Sequence, residues 1–328
     1  MREYIIRRLL LIVPIMFGVS LLTFFSFRVI PGDAATIICQ FECNPENLKG
    51  IRGELGLDEA WYQQYVEWLG LLKDDDGKFN GVLEGKFGES FFTRLPVTEE
   101  LGRRIPVTLQ LMAMSMFLAV LLGIPPGVLS AVRPGAFLDL IARFTSVLWL
   151  SIPSFYLGIL LITFGAKWFG WSPPNFATGT SVRPWDDPWV NFQTFFWPSL
   201  VLALGIAAVI MRLTRSSMLE VMRNDYIRTA WSKGLKERAV VWRHALKNAM
   251  IPVVTIMGLQ VGALIGGSVI IESVFGLNGM GIYLLEGILR RDLLVVQSLV
   301  LIFAVTYVMI NLFVDLTYAW LDPRIRYS

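Results

Sequence analysis

The chain of 328 residues is 55% apolar and 17% charged, with a mean hydropathy of +0.57 and a formal net charge of +3. Soluble domains average about 25% charged residues, so this composition argues against a disordered chain, a collagen-like fibre or an ordinary soluble enzyme. The apolar residues are also blocked rather than spread: Leu9–Phe27, Ile105–Val132, Phe144–Ala166, Pro188–Met211, Asn248–Ile271 and Leu293–Val314 contain no Asp, Glu, Lys, Arg or His.

Each block is 19 to 28 residues long. A hydrocarbon core of about 30 Å needs roughly 20 helical residues, so the sequence predicts an all-α integral membrane protein with six transmembrane helices. With the amino terminus placed inside, the inner segments hold 16 Lys/Arg against 7 Asp/Glu and the outer ones 13 against 19. Arg2, Arg7, Arg8 and the cluster at 212–247 dominate that bias, which places both termini in the cytoplasm. The basic charge is thus a topology signal, and no nucleic-acid partner is expected. The organisation read from these blocks is an N-terminal span (1–30), a small external domain (31–104), a five-helix core (105–322) containing the cytoplasmic loop 212–247, and a short tail (323–328).

The first block is read as a span and not as a cleaved leader, because leader cores run about 7–15 residues. In the external segment, Leu57, Trp61, Tyr65, Trp68 and Leu72 recur at helical spacing, with Asp58 as the expected N-cap, which predicts an amphipathic helix lying on the membrane-protein surface. Cys39 and Cys43 are the only cysteines. In an oxidising compartment they can form a disulfide; free or metal-bound thiols are the alternatives, and with no histidine nearby a closed zinc site is not expected. Asp74-Asp75-Asp76-Gly77 fails the calcium-loop pattern, since its first and twelfth ligand positions would be Leu72 and Leu83. No metal site is predicted.

Energy-coupling and catalytic motifs are absent. Gly81–Phe87 lacks the glycine spacing and the hydroxyl of a phosphate loop, and the single histidine, His244, sits among Arg243, Lys247 and Asn248. Asp139, Arg143, Lys167, Glu272 and Asp315 fall at predicted span ends, where they are expected to reach water or headgroups; this argues against an ion-coupled pump. Pro125-Pro126, Pro153 and Pro252 are candidate kinks. Gly262 and Gly266-Gly267 have the spacing of a close helix contact. Ser151, Ser154, Thr255, Gln260 and Ser268 are the uncharged polar residues proposed to line a path, although lone Ser and Thr often bond to their own backbone. The glycine-rich stretch Phe275–Gly281 breaks the helical pattern and is read as part of an external gate.

Arg212–Lys247 is the most informative stretch. Asn224-Asp225 signals a helix start and Gly234 a stop, with Ala230 and Gly234 on one face as a bare patch for a partner. Asp225-Tyr226-Ile227-Arg228-Thr229-Ala230-Trp231-Ser232-Lys233-Gly234-Leu235, followed by Arg243-His244-Ala245-Leu246-Lys247-Asn248-Ala249-Met250-Ile251-Pro252, closely resembles the coupling segment of ABC importer permeases of the dipeptide/oligopeptide class. Further matches in the same order are Arg7-Arg8-Leu9, Ile30-Pro31-Gly32-Asp33, Glu54-Leu55-Gly56-Leu57-Asp58, Gln63-Gln64-Tyr65, Thr214–Glu220, Phe275-Gly276, Gly279-Met280-Gly281, Arg290-Arg291-Asp292 and the tail Asp322–Arg326. Arg228-Thr229-Ala230 stands where the generic permease signature has Glu-Ala-Ala, a departure usual in the peptide subgroup.

The resemblance implies a type I importer permease fold, in a prokaryotic plasma membrane, carrying di- or oligopeptides. Its implied partners are a homologous second permease, two ATPase subunits, an external substrate-binding protein and the lipid membrane. It implies no catalysis and no cofactor in this chain, with ATP and Mg held by the ATPases. Carried over residue by residue, Asp225, Tyr226, Arg228, Thr229, Ala230, Lys233, Gly234 and Leu235 would form the ATPase contact. The same architecture can carry a nickel chelate, glutathione or another small solute; from a different class, an autonomous ion-coupled carrier would need no ATPase.

Overall fold

The computed structural model describes residues 2–29, 35, 44–54, 58–72, 81–178 and 183–321, without the side chains of 2–9, 27–29, 51 and 315–321. Cys39, Cys43, Leu57, Asp74–Gly77, the Ile30–Asp33 motif and the Asp322–Arg326 tail lie outside the described residues, as do the side chains of Arg2, Arg7, Arg8 and Asp315. The helices are α1 (Arg2–Val29), α2 (Pro45–Glu54), α3 (Trp61–Leu69), α4 (Val97–Val132), α5 (Phe137–Ser151), α6 (Ser154–Phe169), α7 (Pro174–Thr178), α8 (Pro188–Val221), α9 (Asp225–Ser232), α10 (Glu237–Phe275), α11 (Met280–Leu289) and α12 (Leu293–Leu321). Among the described residues the only β-pairing is an isolated bridge between Glu89 and Pro96.

Four helices, α4, α8, α10 and α12, are long and apolar enough to cross a membrane, and α5 with α6 makes a fifth span bent by 95°. The described apolar part of α1 is Leu10–Ser26, within a helix of 28 residues. The architecture is therefore the expected all-helical membrane type; among the described residues four or five spans meet the length and composition of a crossing, and the first of the six predicted, Leu9–Phe27, falls on α1. The chain divides into two compact units, one centred on Val107–Gly281 with the stretch from Tyr307, the other on Leu10–Pro106 with Ile282–Thr306.

In the second unit, α3 packs on α1 through aromatic rings. Phe24 lies 5.1 Å from Tyr65 and 5.9 Å from Trp68, and Phe25 5.3 Å from Trp61. Ser20 and Tyr65 share a buried hydrogen bond of 2.7 Å. The amphipathic helix is real, but shorter than expected: Ala60 precedes its first turn with no side-chain cap, and Asp58 instead pairs with Arg52 at 2.9 Å. α4 starts at Val97, before the apolar run, because Glu99–Arg103 and Glu100–Arg104 pairs at 2.6 and 3.1 Å support its first turns. The Arg104 guanidinium covers the Tyr283 ring at 4.3 Å. Burial above all, with Asp292 and Glu100 adding negative charge, pushes the Tyr283 hydroxyl up to about 12. Ser90 Oγ donates to buried Asp292 at 2.6 Å, tying the 81–96 segment to the start of α12.

The first unit is organised by α8, whose N-terminus is set by Asp187 accepting from the N–H groups of Trp189 and Val190, with Pro188 in the first turn. Leu111 of α4, Phe195 and Ile210 of α8, and Leu264, Ile271 and Phe275 of α10 form its fully buried core. The glycine contacts on α10 are partly as expected: a Cβ on Gly262 would meet Tyr307 at 3.3 Å and one on Gly267 would meet Leu202 at 2.7 Å, whereas Gly266 faces open space. Phe117, Phe144 and Phe313 are each at least 65% exposed, as helices in an apolar solvent allow.

Candidate functional site

The Arg212–Lys247 segment begins inside α8, which runs ten residues past the apolar block to Val221 before the chain turns into α9. Asn224 is the N-cap in extended conformation, and its carbonyl receives the N–H groups of Ile227 and Arg228 at 3.0 and 3.3 Å. The helix ends where Gly234 adopts φ +76 and the Leu235 N–H reaches back to Ala230 O at 3.4 Å, a glycine stop in which a side-chain-bearing residue would be strained. Both boundary signals in the sequence correspond to these features.

α9 has two faces. Ile227 (0% exposed) and Ala230 (7%) enter a small core with Val128, Met218, Val240, Val241 and Ala245. Tyr226, Trp231 and Leu235 are exposed apolar groups, and Asp225, Arg228, Thr229, Lys233 and Gly234 are also exposed. The bare patch expected from Ala230 and Gly234 is therefore corrected: Ala230 is turned into the core by the helical register it shares with Ile227, and Gly234 stands beyond the helix end. Trp231, part of the motif but not among the residues assigned to the contact, occupies the outward face. Tyr226 is anchored, its hydroxyl accepting from Asn248 Nδ2 at 2.7 Å. Immediately after α9, the chain enters α10 through a π-helical turn at Val240–Ala245, which contains His244. Such a turn leaves no signal in apolar periodicity.

The five polar residues assigned to a path divide into two groups. Ser151, Thr255 and Ser268 donate to carbonyls of their own helices, at Val147, Ile251 and Ile265, and Ser268 is fully buried. Ser154 and Gln260 share the lining of one cleft of about 340 Å³, together with Trp149, Pro153 and Gly205. The cleft opens at the 95° break between α5 and α6, where Pro153 interrupts the span.

Residues 123–327 match the family described as binding-protein-dependent transport system inner membrane component, and residues 1–112 match that family's N-terminal part. The chain belongs to this family. It is 38% identical over 328 residues to the glutathione transport system permease protein GsiC of Escherichia coli (strain K12), covering all of both chains. It is 36% identical over 343 residues to the dipeptide transport system permease protein DppB of Alkalihalophilus pseudofirmus, again covering all of both. Its fold is similar to the MetNI methionine ABC transporter solved in inward-facing conformations, with a TM-score of 0.52 at 20% identity, over 68% of this chain and 96% of that one. This protein is thus a membrane-embedded permease subunit of a transport system.

Two acids of the permease differ from their expected surroundings. Asp139 is 1% exposed, gripped by Arg215 from α8 and by Ser130 from α4, and it also accepts from the Gly135 N–H at 2.9 Å. Arg215 lies beyond the charge-free run of α8, and 76 residues of sequence separate the partners, so no local pattern discloses the pair. Glu272 is 0% exposed and receives the Thr108 hydroxyl at 2.6 Å. Thr108 in turn accepts the Met280 N–H at 2.8 Å. The Gly279-Met280-Gly281 motif fits this arrangement, since a Cβ at Gly279 would stand 2.5 Å from the Glu272 carboxyl carbon and one at Gly281 2.5 Å from Val269 Cα. Neither acid reaches water at a helix end as the sequence reading expected; both are internal staples.

Proposed function

We propose that this chain is one of two permease subunits of an ATP-driven importer of di- or oligopeptides. It forms half of the translocation path, with both termini in the cytoplasm, and pairs with a homologous permease. Two ATPase subunits bind ATP and Mg, and an external substrate-binding protein delivers the solute. The observation that carries the peptide assignment is the full-length similarity to both GsiC and DppB.

The coupling role of α9 is supported by its build. It is a rigid helix fastened to the permease core by Ile227 and Ala230 while Tyr226, Trp231 and Leu235 stay exposed. A lever must be held firmly on one side and free on the other, so that closure of the ATPases can bias two packings of the bundle. Glutathione is a second reading, favoured by the 38% identity to GsiC; being a small peptide, it would use the same path. Uptake of labelled dipeptide, tripeptide and glutathione, in cells with the gene deleted and restored, tests the assignment. Uptake that follows ATP supply and not the proton gradient is the expected result; uptake of none of the three would overturn it.

A further inference from the structure

We propose that the cleft at the α5–α6 break is a transit subsite that accepts an uncharged peptide unit and disfavours charged ones, with Gln260 as the residue that hydrogen-bonds the peptide unit. The proposal rests on the peptide-importer reading above.

The break lies near the middle of the charge-free run Phe144–Ala166. Where α5 stops at Ser151, its last carbonyls lose their intrahelical donors, and the first N–H groups of α6 lose their acceptors. Two later N–H groups, of Tyr156 and Leu157, recover by closing on Pro153 O at 3.1 and 3.2 Å. At membrane depth, interrupted backbone persists where it is buried in protein or lines a wet cavity, and broken helices give a transporter main-chain groups to offer its solute. Here the break lines a cleft of about 340 Å³, within the size range of small-ligand sites.

The side chains of the cleft point the same way. Ser151, Thr255 and Ser268 spend their hydroxyls on their own helices. Ser154 and Gln260 line the cleft, and their side chains have no hydrogen-bond partner among the described residues. A side-chain amide both donates and accepts, which is what a peptide unit requires of its neighbour. No residue lining the cleft is ionisable, so a charged side chain or terminus held there is desolvated without compensation. Across from the break, a Cβ on Gly205 would meet nothing within 4 Å, leaving open volume for the solute.

The test is uptake by cells expressing the intact transporter with wild-type, Gly205→Leu, Gly205→Ala, Gln260→Leu or Gln260→Asn permease, at matched membrane levels, using labelled neutral and lysine- or glutamate-containing dipeptides. Gly205→Leu fills the cleft and should lower the maximal uptake rate about tenfold or more with KM unchanged, while Gly205→Ala is tolerated. Gln260→Leu should cost about three- to tenfold for neutral peptides, the weight of one hydrogen bond, with partial recovery in Gln260→Asn. Neutral peptides should be carried faster than charged ones in the wild type, and that preference should persist or widen in Gln260→Leu, whose lining is more apolar still. Wild-type peptide uptake left intact by both Gly205→Leu and Gln260→Leu overturns the subsite alone. Absence of peptide uptake by the wild type overturns the importer reading and the subsite with it.

Discussion

Arg215 grips Asp139 with two parallel hydrogen bonds, Nε to Oδ1 at 2.8 Å and Nη2 to Oδ2 at 3.1 Å, and so fastens the start of α5 to the far end of α8. Ser130 of α4 bonds to the same carboxylate, so three helices meet on one buried acid. Removing one member of a buried pair leaves the other charge uncompensated, at a cost of about 3–5 kcal/mol. Asp139→Ala and Arg215→Ala should each lower the thermal midpoint of the purified permease clearly, and Asp139→Asn, which keeps an acceptor, should lower it less. Unchanged melting in both alanine variants would show that the pair does not hold these helices.

At the other acid, the close approach is steric as well as polar. Gly281→Ala places a Cβ 2.5 Å from the Val269 backbone, which cannot move aside as a side-chain tip can, so overpacking should cost about 1–3 kcal/mol. Glu272→Gln retains an oxygen for the Thr108 hydroxyl and should melt above Glu272→Ala. The comparison is a thermal melt of the three variants in one detergent.

α9 separates stability from coupling. Ala230→Asp puts a charge into the core around Ile227 and Met218 and should destabilise the protein itself. Trp231→Ala alters a residue 42% exposed and should leave stability within about 0.5 kcal/mol while lowering transport. Melting temperature and uptake measured on the same two variants check the division; equal effects on both readouts in Trp231→Ala would contradict it.

For the α1–α3 contact, Tyr65→Phe deletes the hydroxyl that meets Ser20 at 2.7 Å while keeping the ring among Phe24 and Trp68. The expected loss is about 0.5–1.5 kcal/mol, read from the unfolding midpoint, and Tyr65→Ala should lose several times more through the missing ring.

The sequence carried the class of fold and the ends of α9, because charge-free blocks and the Asn224 and Gly234 signals are local. The direction in which α9 faces was not local: Ala230 is small enough for either a docking surface or a core, and the register with Ile227 decided for the core. Pro153 was legible as a kink, but the 95° break and the cleft beside it depend on how α8 and α10 pack around them. Among the polar path residues, only packing separates Ser154 and Gln260 from Ser151, Thr255 and Ser268. Asp139 and Glu272 looked like surface charges because their partners, Arg215 and Thr108, are distant in sequence.

The most direct test of the central claim is to purify the tagged permease from native membranes in mild detergent and identify what accompanies it by mass spectrometry. The importer account predicts recovery of a homologous permease and of ATPase subunits, with the ATPases lost from Trp231→Ala while the second permease remains. Recovery of the chain alone or only with itself, unchanged in the variant, would contradict it.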